Sequence, residues 1–293
     1  MEKQKKITDK IAAFSVRFLT RLFPKITPNV CKKNAKLAGS LIYEYFPIRY
    51  SEIKKNIELS NLNLSSQRVD SVIRKIFEYQ FMNLIEFMRI NTLTEKNINN
   101  RVKFLGLSHF DESLSKGKGV ILLTAHFGNW EYLGASLSIK GYPLHSMVRF
   151  QTGNFDEEIN KLRKLSGNKI FGRNRSARKV LKILKNNGIV GLLSDQHSDN
   201  MGYEVDFLGR KCMATGSPVA FSLKSGAPIV PAMIIREDFE KFRVEILPPI
   251  GLEITGNKER DIHDGTQKYT TIIENFIKRY PEQWFWFHKR WRN

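Results

Sequence analysis

His126 and Glu131, five positions apart in the run Gly119-Val120-Ile121-Leu122-Leu123-Thr124-Ala125-His126-Phe127-Gly128-Asn129-Trp130-Glu131, carry the most chemistry that local sequence offers here. A general base needs a neutral histidine nitrogen facing its substrate and a carboxylate holding the proton of the other nitrogen. On one regular helix a spacing of five would point the two side chains apart, because neighbours fall at three and four. Across a strand–turn–helix junction the chain can fold back and bring the carboxylate to the imidazole. With six histidines and 29 acidic residues in 293, chance nearly supplies such a pair, so context has to decide. The competing reading is a strand-end histidine bonded to backbone.

The context is that of a strand and a helix joined by a tight turn. Val120–Leu123 is a continuous apolar run, as in a strand buried on both faces of a parallel sheet. Gly128-Asn129 breaks it, and Asn129 is a good N-cap for a helix from Trp130 towards Lys140. His126 then sits past the carboxyl end of a buried strand, where open α/β sheets place their ligand crevices. Gly188–Ser194 is a second buried strand, and it delivers Asp195 and Gln196 at the same end. Parallel strands joined by helices set such ends side by side. Pro143–Phe150 reads as another strand, ending in Arg149, and Phe155–Leu165 as a helix carrying Arg163. Pro228–Ile235 and Phe242–Leu247 are further strands, Phe104-Leu105-Gly106 a short edge strand, and Val205–Arg210 a polar loop.

The first hundred residues read as helical. Ile7, Ile11, Phe14, Phe18 and Leu22 form one stripe, interleaved with Lys10, Arg17 and Arg21, which describes a basic amphipathic helix suited to an anionic membrane surface. Residues 30–48 and 67–90 are two more helices, and 265–279 a helix near the end. The expected fold is α/β, a mostly parallel central sheet flanked by helices, with a helical N-terminal segment. Residues 1–293 are expected to form a single unit: an amphipathic helix over 1–25, a helical flank over 26–100 and an α/β core over 101–293.

Composition narrows the partners. The chain is 41% hydrophobic and 11% aromatic, which excludes a disordered polymer. Its two cysteines, Cys31 and Cys212, fit neither a disulfide scaffold nor a structural zinc site. A net charge of +19 attracts anionic lipid, an acidic protein or nucleic acid. The aromatics fall in apolar runs and do not alternate with basic residues, which disfavours a non-enzymatic nucleic-acid binder. No run reaches the roughly 18 apolar residues of a membrane span. A signal peptide is not expected, and no glycine-rich phosphate loop is present.

Taken in order, these residues resemble the bacterial lipid A biosynthesis (late) acyltransferases, the lauroyl and myristoyl transferases of the wider lysophospholipid-acyltransferase superfamily. His126 to Glu131 resembles the family's His-(four residues)-Glu/Asp signature with its Gly-Asn-Trp insert. Arg149, Arg163 and Ser194-Asp195-Gln196 stand where the family has two arginines and an Asp-Gln strand end. Phe207-Leu208-Gly209-Arg210 resembles its glycine loop, and Ile229-Val230-Pro231 its Val-Pro strand. The ending Trp284-Phe285-Trp286-Phe287-His288-Lys289-Arg290 resembles its Trp-x-Trp-x-His-(basic)-Arg tail. The likeness covers nearly the whole chain. One departure is the start, where the family's longer apolar anchor is here interrupted by charge, so peripheral attachment is expected.

The resemblance implies transfer of a fatty acyl group from acyl-acyl carrier protein or acyl-CoA to a hydroxyl of a lipid A precursor. His126 would be the base and Glu131 would orient and charge-stabilise it. Asn129, Arg149, Arg163, Asp195, Gln196, Gly209 and Arg210 are its auxiliary or substrate-binding candidates. Backbone amides at Gly128-Asn129, or an arginine, would meet the oxyanion. Asp195 would hold an arginine or touch the acceptor sugar, while Trp284 and Trp286 read as core. No cofactor and no metal are implied beyond the acyl donor as co-substrate. The implied partners are acyl carrier protein, a glycolipid acceptor and an anionic membrane surface, at the cytoplasmic face of the inner membrane. The nearest alternative keeps the reaction and changes the acceptor to a mannosyl phosphoinositide or a lysophospholipid.

Overall fold

A computed structural model describes the chain over residues 2–148, 150, 153–172, 176–198 and 202–292. Four helices come first: α1 (Glu2–Leu22), α2 (Pro28–Tyr45), α3 (Tyr50–Leu59) and α4 (Ser66–Met88). A single turn, α5 (Ile98–Arg101), leads into β1 (Val102–Leu105) and α6 (Ser108–Leu114). Strands and helices then alternate as β2 (Val120–Thr124), α7 (Trp130–Ile139), β3 (Leu144–Val148), α8 (Asn154–Leu165), β4 (Lys169–Gly172), α9 (Ser176–Lys185) and β5 (Ile189–Leu193). A hairpin of β6 (Gly202–Phe207) and β7 (Arg210–Thr215) precedes α10 (Ser217–Ser225). The chain closes with β8 (Ile229–Asp238), β9 (Lys241–Ile246) and α11 (Lys258–Arg279).

Seven strands form one sheet in the order β1-β9-β8-β2-β5-β3-β4. Every neighbouring pair is parallel except β8 with β9. The sheet is therefore mostly parallel and flanked by helices, behind a helical N-terminus. The central strands are apolar throughout because both faces are covered. Ile121 and Leu123 of β2 pack with α3, α4, α9 and α11 residues on one face. Val120 and Leu122 point the other way, into a core with Phe110 of α6, Leu133 and Leu137 of α7 and Val16 of α1. Each such aliphatic side chain contributes about 1.5–3 kcal/mol on burial.

Two regions depart from the sequence expectation, the stretch 205–210 and β4, and two helices pack in ways that the sequence left open. Helix α1 packs through Ala13 and Val16, and its Ile7–Leu22 stripe stays exposed. Helix α2 likewise buries its small face, Cys31, Ala35 and Gly39, and leaves Leu37, Leu41 and Tyr45 outside. A Cβ on Gly39 would lie 2.5 Å from Glu78 Cα, so close approach of α2 to α4 selects small residues over large ones. The stretch 205–210 is no polar loop. Val205 and Phe207 are buried strand residues, and Leu208 and Gly209, with φ of 51° and 80°, make the left-handed turn of the hairpin. Strand β4 escaped the sequence reading because its four residues, starting from an exposed lysine at the sheet edge, carry no alternation.

Candidate active site

Strands β2 and β5 are parallel neighbours with Thr124 paired to Leu193. His126 and Asp195 each follow two residues later, so the register sets an imidazole beside a carboxylate at the carboxyl edge of the sheet. The ladder continues past the strands through the Ser194 amide, which donates to Thr124 O at 3.1 Å. His126 Nδ1 lies 2.8 Å from Asp195 Oδ1, and the His126 amide donates to Oδ2 at 3.1 Å. Trp284 Nε1 donates to the same Oδ2 at 2.8 Å. An ionised carboxylate only accepts, so Nδ1–H donates to it, and Nε2 is left as the basic nitrogen of the neutral ring. Nε2 has no protein partner among the described residues, and His126 lines a cavity.

Charge around the imidazole favours its protonated form. Burial works against the imidazolium, but the charge and hydrogen bond of Asp195, joined by the charge of Glu131, hold the pKa above its ordinary value. Burial likewise works against the Asp195 anion, yet His126 and the donors on it keep that carboxyl below its usual range.

The carboxylate on the imidazole is thus Asp195 and not Glu131, which the five-residue spacing had singled out. Asn129 N-caps α7 through Oδ1, which accepts from the Tyr132 amide at 3.1 Å. The helix therefore begins at once, and Glu131 in its first turn meets Arg163 of α8. Arg163 Nη2 is 2.6 Å from Glu131 Oε1, and Nε is 3.0 and 3.1 Å from the two oxygens. A guanidinium fork is charged at every working pH and binds a carboxylate better than an imidazole does. Burial works against the Arg163 cation, but Glu131 more than offsets it and raises the pKa.

Two other expectations change with this. Asp195, 2% exposed, is committed to His126 and Trp284, so it neither holds an arginine nor faces an acceptor. The Gly128 amide donates to Gln283 O at 2.8 Å and is not free to meet an oxyanion. Gly128 has φ of 57°, and a Cβ there would sit 2.1 Å from Ile234 O, so only glycine fits the turn.

Beside His126 a cavity of about 380 Å³ runs along one face of the sheet. Its floor is made of alternate residues: Thr124 and Leu122 of β2, Leu193 and Gly191 of β5, and Val148, Ser146 and Leu144 of β3. From His126 to Leu122 the strand advances about 13 Å. Leu133 and Gly134 of α7 and Phe155, Ile159 and Arg163 of α8 roof it. The rings of Trp130 and Phe285 flank the imidazole at centroid distances of 5.2 and 6.1 Å.

Of the remaining candidates, Gln196 is half-buried and does not line this cavity. Gly209 lies in the hairpin turn, where Leu208 O accepts from the Asn61 amide at 2.8 Å, and Arg210 opens β7 opposite Phe207; both lie off the cavity. Arg149 falls outside the described residues. Cys31 and Cys212 are buried, and burial raises both thiol pKa values, which makes them poor nucleophiles. No group of three or more His, Cys, Asp or Glu side chains suited to a metal occurs among the described residues.

Trp284, which the sequence reads as core, is buried and is also the second donor on Asp195 Oδ2, beside the His126 amide. His288 was placed only in the tail; burial pushes its pKa down to about 4, with Asp195 and His126 among the charges acting on it. The tail is tied to the turn by backbone, Phe285 N donating to His126 O at 2.9 Å.

The family model described as bacterial lipid A biosynthesis acyltransferase matches residues 3–293. The lipid A biosynthesis palmitoleoyltransferase of Escherichia coli K12 is 24% identical over 269 residues, 90% of this chain and 85% of that one. The phosphatidylinositol mannoside acyltransferase of Mycobacterium tuberculosis is 22% identical over 213 residues, 70% of this chain and 66% of that one. A solved structure, the 1-acyl-sn-glycerophosphate acyltransferase PlsC of Thermotoga maritima, aligns over 84% of this chain and 98% of that one with 10% identity and a TM-score of 0.36.

Proposed function

Because the chain belongs to the bacterial lipid A biosynthesis acyltransferase family and is an acyltransferase, we propose that it moves a fatty acyl group from acyl-acyl carrier protein or acyl-CoA to a hydroxyl of a lipid A precursor. The observation that carries the mechanism is His126, bound to Asp195 through Nδ1 and bordering a cavity whose lining mixes apolar strand residues with polar groups. An alcohol has a pKa far above neutrality, so Nε2 removes its proton as the oxygen attacks the thioester carbonyl. Asp195 stabilises the resulting imidazolium, and the Glu131–Arg163 pair supplies further charge beside it. Collapse of the tetrahedral intermediate breaks the C–S bond, and the imidazolium returns its proton to the thiolate. The acyl tail lies along the floor made by β2, β5 and β3.

The setting follows from the surface. The exposed stripe of α1 with Lys10, Arg17 and Arg21 rests on anionic lipid. No helix among the described residues is long and apolar enough to cross a membrane. In this reading attachment is peripheral, through α1, at the cytoplasmic face. The net charge of +19 suits an acidic carrier protein as donor.

The test is to incubate purified protein with acyl-carrier-protein and acyl-CoA donors and three acceptors: a lipid A precursor, a mannosyl phosphoinositide and a lysophospholipid. Product masses identify the acceptor and donor. Acylation of the lipid A precursor is expected, and turnover on either other acceptor alone would move the assignment there. His126→Ala should abolish transfer with the fold intact.

A further inference from the structure

Behind the 126–131 turn lies a buried ionic cluster that does not line the cavity. Glu86 of α4 is fully buried on a face otherwise built from Met82, Ile85 and Met88. Its Oε1 accepts from Arg236 Nη1 at 2.5 Å and from the Glu240 amide at 2.8 Å. Its Oε2 accepts from Arg236 Nη2 at 2.6 Å and from Asn129 Nδ2 at 2.8 Å. One turn earlier, Asn83 Nδ2 donates to Gly128 O at 2.8 Å and its oxygen accepts from Arg236. The Arg236 amide donates to Gln283 Oε1 at 2.8 Å, and Gln283 O takes the Gly128 N–H. The carbonyl and amide of Gly128 and the side-chain amide of Asn129 therefore all end on this one cluster or on its partner Gln283.

A buried ion pair adds little stability over apolar residues of the same shape, so stability alone is a poor reason for this one. We propose that Glu86 is a positioning residue for acyl transfer, fixing through Asn129 and Arg236 the turn that carries His126 and opens α7; this rests on His126 being the base in the reading above. The chemistry of the carboxylate is what makes the assignment specific. Glu86 can only accept, so Asn129 presents its NH2 to α4 and its Oδ1 to the Tyr132 amide. The reverse orientation would set acceptor against acceptor and donor against donor, and α7 would lose its cap.

The test compares wild type, Glu86→Gln and the double variant Glu86→Gln/Asn129→Asp. In the double variant the glutamine amide donates to the introduced aspartate, whose second oxygen still caps α7, and total charge is conserved. Three readouts are taken: circular dichroism for the fold, hydrogen exchange of amides 126–134, and kcat and KM with a long-chain acyl-carrier-protein donor and the acceptor that wild type acylates. Glu86→Gln is expected to fold, to exchange faster in that segment, and to lose roughly ten- to a hundredfold in kcat with donor KM nearly unchanged. The second change should restore most of both. Unaltered exchange and kcat in Glu86→Gln, or a loss that Asn129→Asp does not recover, would overturn the assignment. If Glu86→Gln does not fold, Asn83→Ala leaves the ion pair in place, and unaltered exchange there overturns it equally. If wild type acylates nothing, the functional reading fails while the exchange comparison still decides whether Glu86 holds the turn.

Discussion

Two carboxylates of like chemistry act on the charge of the same imidazole from different elements, and their surroundings differ. Asp195 follows the end of β5, is buried, and has no cation on it other than His126 when that ring is protonated. Glu131 opens α7, is partly exposed, and is already neutralised by a bidentate arginine. A carboxylate without a permanent counter-ion must be satisfied by neutral donors or by a group that acquires charge during the reaction, and Asp195 has both. One that carries its own arginine acts on His126 only as half of a dipole. In the proposed reaction counter-ion supply, more than closeness in sequence, decides which acid steers the base.

The largest effect should therefore fall on Asp195→Asn. Loss of the orienting acid in a histidine-base enzyme costs up to roughly 10⁴-fold in kcat. It also removes the main charge that raises the His126 pKa, so the acid limb of the pH–rate profile should move to lower pH. The sign is fixed: a raised pKa keeps the ring protonated, hence inactive as a base, to higher pH, and lowering it frees the base sooner. Glu131→Gln should cost less, roughly ten- to a hundredfold, by leaving Arg163 uncompensated beside the imidazole. Adding Arg163→Met should return part of that loss, because the stranded cation goes with it. A Glu131→Gln deficit larger than that of Asp195→Asn would invert the comparison and restore Glu131 as the steering acid.

How far this was legible in the sequence follows from the same contrast. Val120–Leu123 and Gly188–Ser194 announced buried parallel strands, and the rule for their carboxyl ends placed His126 and Asp195 together. Choosing between Asp195 and Glu131 required knowing where Arg163 would lie, which depends on the packing of α8 against α7 and on no local signal. The hairpin at 205–210 was missed because Asp206 and Arg210 look like loop residues, while the buried partners Val205 and Phe207 declare themselves only against a core. Glu86 did leave a trace, an acid next to Ile85 and one turn after Met82 on an apolar helical face, which marks a buried charge needing partners.

A smaller and more selective effect tests the wall of the cavity while leaving both acids alone. Gly191 lies on the cavity floor, and a Cβ there would find Leu144 and Ser146 at 3.8 Å and Leu122 at 3.9 Å. Gly191→Ala thus fits without displacement and should change little. Gly191→Val adds bulk across the path of the chain, and long-chain donors should lose about fourfold in kcat/KM for each methylene excluded. Short-chain donors should keep their rate, and the acid limb should stay where it is. A shift in pH profile without a shift in chain preference would mean that the tail does not lie on this face.

The smallest change separates donors on Asp195 from charge on Asp195. Trp284→Phe keeps a ring in the core but removes Nε1–H, leaving Oδ2 with the His126 amide alone. A hydrogen bond to a buried charged group stabilises by about 1.5–3 kcal/mol, and a fall of that order in unfolding free energy is expected. The effect on the reaction runs opposite to that of Asp195→Asn. A carboxylate that loses a donor concentrates its charge on the remaining partner, so the imidazolium gains stability and the His126 pKa rises further. The acid limb should move to higher pH with kcat on the alkaline plateau reduced only a few-fold. A limb that moves the other way would mean that Trp284 sets the geometry of Asp195 and not its charge, and the division between the two acids would then rest on Arg163 alone.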